Sequence, residues 1–79
     1  WKFYKTLTIV SERKPDLINE FNNIIKKHSL KISDWSLEEN RDGGKIIYSI
    51  ITRVGEKIDI NLLFDDFRKI KGVLKIKIK

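Results

Sequence analysis

Seventy-nine residues give room for one domain and none for a catalytic core with a second module, which excludes most enzyme folds. The chain is 41% hydrophobic and 35% charged, the balance of a soluble globular domain, and no window approaches the length of a transmembrane helix, so this segment is not expected to insert into a membrane. Seventeen Lys and Arg against eleven Asp and Glu leave +6, which would suit a polyanion, yet Lys, Ile and Asn are used heavily while Ala, Gln, Met and Cys are absent, a bias of AT-rich coding that raises Lys without any ligand demanding it.

Residues 1–10 alternate as a strand does, with Phe3, Leu7 and Ile9 on one face and Tyr4, Thr6, Thr8 and Val10 on the other. Ser11, Glu12, Arg13 and Lys14 form a polar break. Pro15 and Asp16 suit a helix start, because proline gives up an N–H that had no partner and the acid faces the positive helix end. Leu17, Phe21, Ile24, Ile25 and His28 then fall on one stripe at helical spacing, which predicts an amphipathic helix ending near Ser29. A second strand is predicted over residues 30–40. Its apolar parity slips between Leu30 and Ile32 on one side and Trp35 and Leu37 on the other, as a bulge or an early register change would produce.

Asn40, Arg41, Asp42, Gly43 and Gly44 make a hairpin turn, since glycine tolerates the positive φ a tight turn needs. Residues 45–54 therefore pair antiparallel with the second strand. They carry Ile46, Tyr48, Ile50 and Val54 on one parity and Ile47 and Ile51 on the other, which marks a central strand with two partly buried faces. Residues 55–57 break the pattern, Asp59 or Asn61 can cap, and Ile60, Leu63, Phe64, Phe67 and Ile70 predict a second helix running to Gly72. Residues 73–79 alternate Leu74, Ile76 and Ile78 inward with Lys75, Lys77 and Lys79 outward, the pattern of an edge strand guarded by lysines.

The order strand, helix, strand, strand, helix, strand specifies an α+β, ferredoxin-like βαββαβ sandwich. Two right-handed crossovers around one hairpin give a four-stranded antiparallel sheet in order 4-1-3-2 with both helices on one face. Over its whole length the chain resembles an ACT-like domain. The resemblance is carried by Glu12, Arg13, Lys14, Pro15, Asp16 and Leu17 at the first strand-to-helix junction, and by Asp42 and Gly43 at the hairpin. It is carried above all by Phe67, Arg68, Lys69, Ile70, Lys71, Gly72 and Val73, similar to that family's leucine-arginine to glycine-valine passage from the second helix into the last strand. It implies a non-catalytic regulatory domain that pairs through sheets or helices and binds amino acids or other small effectors at the pairing interface. It extends to the carboxyl-terminal domain of the MgtC/SapB membrane proteins, which implies a cytoplasmic location, tethered to the inner face of the membrane through the rest of its protein. Many ligand-binding ACT domains have Pro-Gly where this chain has Pro15 and Asp16. Without that glycine, the close backbone approach an effector carboxylate would use is lost, which favours pairing or tethering over amino-acid binding.

Residues 11–16 form the loop with the best claim to an effector: its N–H groups open the first helix, Arg13 and Lys14 add charge, and Ser11 and Asp16 flank them, though Asp16 already occupies the positive helix end. Tyr4, Thr6, Ile47 and Ile51 would lie together on the sheet face the helices leave uncovered, which makes them interface candidates. No catalytic or metal-ligating set is read. The acidic pairs Asp65 with Asp66 and Glu38 with Glu39 suit solvated faces, because adjacent helical residues point about 100° apart. His28, the sole histidine, suits capping or packing, and the absence of Cys removes both a disulfide framework and a thiolate zinc site.

The whole chain is therefore expected to be a single non-enzymatic domain over 1–79, without a cofactor. Starting at Trp1 and lacking Met, it reads as a fragment of a longer bacterial protein, with a second copy or an intramolecular partner domain as its expected contact. The alternative is a nucleic-acid-binding domain using the basic open sheet face, since the RNA-recognition motif shares this topology. That motif stacks bases on aromatics of the central strands, where residues 45–51 offer mainly branched aliphatics. An acylphosphatase-type enzyme would need an Asn on the third strand, and 45–54 contains none.

Overall fold

The computed structural model describes residues 3–54 and 58–79; Trp1 and Lys2 at the expected strand start, the side chain of Phe3 and the expected break at 55–57 lie outside the described residues. Strand β1 (Phe3–Glu12) leads to α1 (Leu17–Lys27), then β2 (Lys31–Glu39), β3 (Lys45–Val54), α2 (Ile60–Arg68) and β4 (Val73–Ile78). The sheet is antiparallel in the order β2-β3-β1-β4, the expected ferredoxin-like arrangement.

The parity of the two central strands decides which face is core. Leu7 pairs with Ile50 and Ile9 with Tyr48, and all four are buried beneath the helices. Leu17, Phe21 and Ile25 from α1, and Leu63 and Phe67 from α2, close the core above them, with Ile70 beyond the end of α2. Phe21 meets Tyr48 edge-on at 4.9 Å between centroids and Phe67 at 5.7 Å. Each such aromatic pair adds about 0.5–1.5 kcal/mol beyond area burial.

The start of α2 follows its expected cap, and the start of α1 departs from the expected signal. Asp59 caps α2 with its side chain, accepting from the Leu62 N–H at 3.1 Å. At α1, by contrast, Asp16 itself is the cap residue in a left-handed conformation at φ 66, its side chain makes no capping bond, and Pro15 lies one position before it rather than in the first turn. The hairpin turn forms as expected, with the Gly43 N–H donating to the Asn40 carbonyl at 3.0 Å and positive φ at Gly43 and Gly44.

Both edge strands carry an irregularity. In β2 the register shifts between Ile32 and Asp34, which accounts for the parity slip in its apolar residues. In β4 a shift lets Val10 pair with Lys75 and Ser11 with Val73, so the intervening Leu74 is 51% exposed; Ile76 and Ile78 point inward as expected and Leu74 does not join them.

Replacing Phe21 by Ala should cost about 3–5 kcal/mol, a large share of the roughly 4–12 kcal/mol a domain of this size holds. Urea unfolding followed by circular dichroism would show a sharply lowered midpoint or no folded baseline.

Candidate functional site

The loop after β1 is the effector candidate of the sequence, and the structure gives each of its four named residues a different environment. β1 runs on to Glu12, so Ser11 belongs to the strand, paired with Ile46 and Val73 and fully buried. Among the described residues its Oγ has no hydrogen-bond partner. Arg13 forms an ion pair with Glu39 at the end of β2. Lys14 donates from Nζ to the Lys71 carbonyl at 3.2 Å and lays its stem beside Gly72, whose φ of 99 forms the turn into β4. Asp16 stays exposed. Arg13 and Lys14 therefore fasten the loop to β2 and to the α2–β4 turn instead of converging on a common point.

A second polar cluster joins the two helices. His28, the C-cap of α1, meets Asp66 of α2 at 2.7 Å, and Lys27 reaches the same carboxylate oxygen at 3.0 Å. An ionised carboxylate can only accept, so the His28 Nε2 carries the proton and donates. The hydrogen bonds from His28 and then Lys27 hold the Asp66 carboxyl below the usual carboxylate range. Asp65 turns away to bond Arg68 at 3.0 Å, so the acidic pair does not converge. Glu38 and Glu39 also diverge, pairing with Ile47 and Ile46 on opposite faces of the sheet. Among the described residues no group of three or more acidic, His or Cys side chains could hold a metal ion, and no helix is long and apolar enough to cross a membrane.

The uncovered sheet face brings the interface candidates together. Tyr4 pairs with Arg53, Thr6 with Ile51, Thr8 with Ser49 and Val10 with Ile47, all projecting away from the helices. Tyr4 is 47% and Ile51 36% exposed, while Thr6 and Ile47 are half-buried by their neighbours. On the central strands the face carries Val10 and Ile47 to one side of a polar Thr8–Ser49 pair and Ile51 and Tyr4 to the other, with Asp34 and Glu38 on the β2 margin and Lys75 and Lys77 on the β4 margin.

A further apolar surface lies on the helix side, and sequence reasoning missed it. Every residue of β2 is exposed, and between Ile32 and Trp35 of that strand and Ile18, Asn22 and Ile25 of α1 lies a depression of about 210 Å³. The signal is present in the inward parity of Trp35 and Leu37, but inward parity on an edge strand does not by itself mean burial. Such a strand can face the helix layer without being covered by it.

Two substitutions check these assignments. Ser11→Ala removes a buried hydroxyl that makes no hydrogen bond, and should raise stability by about 1 kcal/mol, read as a higher urea midpoint. Asp66→Asn removes an acceptor that is charged in the folded state. Because the Asp66 pKa is lowered by folding, its contribution is complete above the unfolded value of about 3.9 and is lost as the pH falls through the folded value. The variant should thus unfold at lower urea than the unmodified chain at pH 7, and the difference should shrink towards zero as the pH falls well below 4.

No protein-family model matches the sequence, and no curated protein matches it. Solved structures match it by shape. The ACT domain from GTP pyrophosphokinase of Chlorobium tepidum aligns with a TM-score of 0.76 over all of both chains at 24% identity. The C-terminal domain of the MgtC protein from Mycobacterium tuberculosis aligns with a TM-score of 0.79 at 8% identity, covering 96% of this chain and 84% of that one. A formyltetrahydrofolate deformylase from Pseudomonas putida KT2440 aligns with a TM-score of 0.78 at 10% identity over 98% of this chain but 28% of its own, so there the same fold is one part of a longer protein. The chain has the βαββαβ fold of the ACT domains, in a form similar to the MgtC C-terminal domain.

Proposed function

We propose that this chain is a non-enzymatic regulatory or assembly domain of a longer bacterial protein, working by having its open sheet face covered by a partner. The observation that supports this most directly is the face itself. Val10, Ile47, Ile51 and Tyr4 lie apolar on the central strands, either side of Thr8 and Ser49, on a face that no helix among the described residues covers, bordered by charge. Exposed apolar patches rimmed by polar groups commonly mark contacts, and a domain this small gains proportionately from extra burial. The partner is a second copy or another domain of the same protein. The shape shared with the MgtC C-terminal domain supports a role as the cytoplasmic tail of a membrane protein of that kind.

Binding of a small effector at Ser11, Arg13, Lys14 and Asp16 is the secondary mode. It would require Arg13 and Lys14 to leave Glu39 and the Lys71 carbonyl. Nucleic-acid binding is less well supported. The central strands offer aliphatic Val10, Ile47 and Ile51 where stacking needs aromatics, and Asp34 and Glu38 on the same face repel phosphate.

Replacing Ile47 and Ile51 together by Lys tests the use of this face. The substituted chain should lose any self-association seen by sedimentation while its far-UV circular dichroism stays intact. Unfolding would instead mean that the face is core, and unchanged association would place the contact elsewhere.

A further inference from the structure

The registers of the three strand pairs align the open face into rows that cross the whole sheet. Glu38, Ile47, Val10 and Lys75 form one row; Ser36, Ser49, Thr8 and Lys77 form the next. Asp34, Ile51 and Thr6 form a third, completed by Lys79, which exchanges both backbone hydrogen bonds with Thr6 at 2.9 Å. Glu12 with Lys45 lies beyond one end of these rows, and Lys31, Arg53 and Tyr4 lie beyond the other. The β2 margin of the three rows is thus acidic or neutral and the β4 margin is lysine throughout.

Two sheets stacked face to face by a two-fold axis have two simple choices, and the charges separate them. With the axis across the strands, β2 lies over β2 and the rows reverse. Glu38 then faces Asp34, Lys75 faces Lys79, Lys77 faces itself and Lys45 faces Arg53, all like charges. With the axis along the strands, each row lies over its own copy turned end for end. Glu38 then faces Lys75, Asp34 faces Lys79 and Glu12 faces Lys45. Arg53 comes over the ring of Tyr4, a geometry suited to a cation–π contact. Between these contacts, Ile47 of each copy sits over Val10 of the other.

The geometry points to a second copy of this chain as the occupant of the open face, stacked by a two-fold axis along the strands and oriented by the Glu38 to Lys75 and Asp34 to Lys79 pairs. This rests on the reading that the open face is a contact surface. A shallow depression of about 110 Å³ between Val10, Glu38, Asn40, Lys45 and Ile47 lies along the first row, where aliphatic side chains of the copy would enter. Three strands of nine or ten residues and the six-residue β4, about 4.8 Å apart, cover roughly 500 Å² per copy, so about 1,000 Å² over both copies. That is near the roughly 1,000 Å² a specific interface requires, and the dimer is accordingly weak, with a dissociation constant in the micromolar range.

The test is sedimentation equilibrium of the 79-residue chain from about 1 to 500 μM, with circular dichroism confirming that each variant is folded. Glu38→Lys and Lys75→Glu each create two like-charge contacts per dimer, and each should weaken association about tenfold or more. An equimolar mixture of the two variants should regain dimer close to the wild-type level. In the mixed dimer the two exchanged charges meet each other as an opposite pair on one side, while the native Glu38 to Lys75 pair persists on the other. A wild-type chain that is monomeric throughout overturns the second copy as occupant and leaves an intramolecular partner for the face. A dimer broken by Ile47→Lys with Ile51→Lys but unaffected by the charge reversals keeps the face and overturns the orientation. Variants that weaken association without rescue on mixing overturn the pairing as well.

Discussion

Phe21 is the wedge on which the fold depends. It presses edge-on against Tyr48 of β3 and meets Phe67 of α2, so one side chain fixes α1 against the sheet and against the other helix at once. All three rings are buried. With α1 held to the centre of the sheet by this contact, Leu7, Ile9, Tyr48 and Ile50 are sealed, and β2 at the margin is left bare on its helix side. The same placement brings the end of α1 alongside α2, where His28 and Lys27 can reach Asp66. The polar cluster thus follows from the aromatic one.

One layer of helices on a four-stranded sheet leaves the opposite face uncovered, and both helices described here are spent on the same side. The central strands still carry branched aliphatics on the uncovered parity, at Val10, Ile47 and Ile51, where a solvated sheet would carry polar residues. Those side chains gain little in isolation, and it is this pattern in β3 that the proposed partner contact would bury.

Much of this was legible in the sequence because each element has a strong local period. The alternation of β1 and β3, the helical stripes of α1 and α2 and the Asp-Gly-Gly hairpin determine the element order, and the handedness of crossovers then determines the sheet order. The parity slip in β2 even located its bulge. What escaped was set by tertiary geometry. Trp35 and Leu37 have inward parity, but how far the helix layer reaches is decided by where Phe21 docks, not by anything within β2. Leu74 has inward parity and is turned out by a register shift that depends on β1. At the loop, the composition of Arg13 and Lys14 suggested an anion site, but their partners, Glu39 and the Lys71 carbonyl, are distant in the chain and became neighbours only through folding.

The charge distribution also bears on why the proposed association would stop at two copies. An acidic β2 margin and a lysine-lined β4 margin would attract each other edge to edge, and that contact is heterologous: each copy would offer a free edge to the next and the chain could extend without closing. Both edges are built against it. β2 shifts register between Ile32 and Asp34 and β4 shifts beside Leu74, which shortens the unbroken ladder of backbone groups each could offer to a neighbouring strand. Stacking through the face uses the same opposite charges without needing a free ladder, and its two-fold axis occupies the face of both copies at once. In the proposed dimer the bulges and the lysines would act together: one hinders backbone pairing at the edges, and the other directs the remaining attraction to a surface that closes on itself.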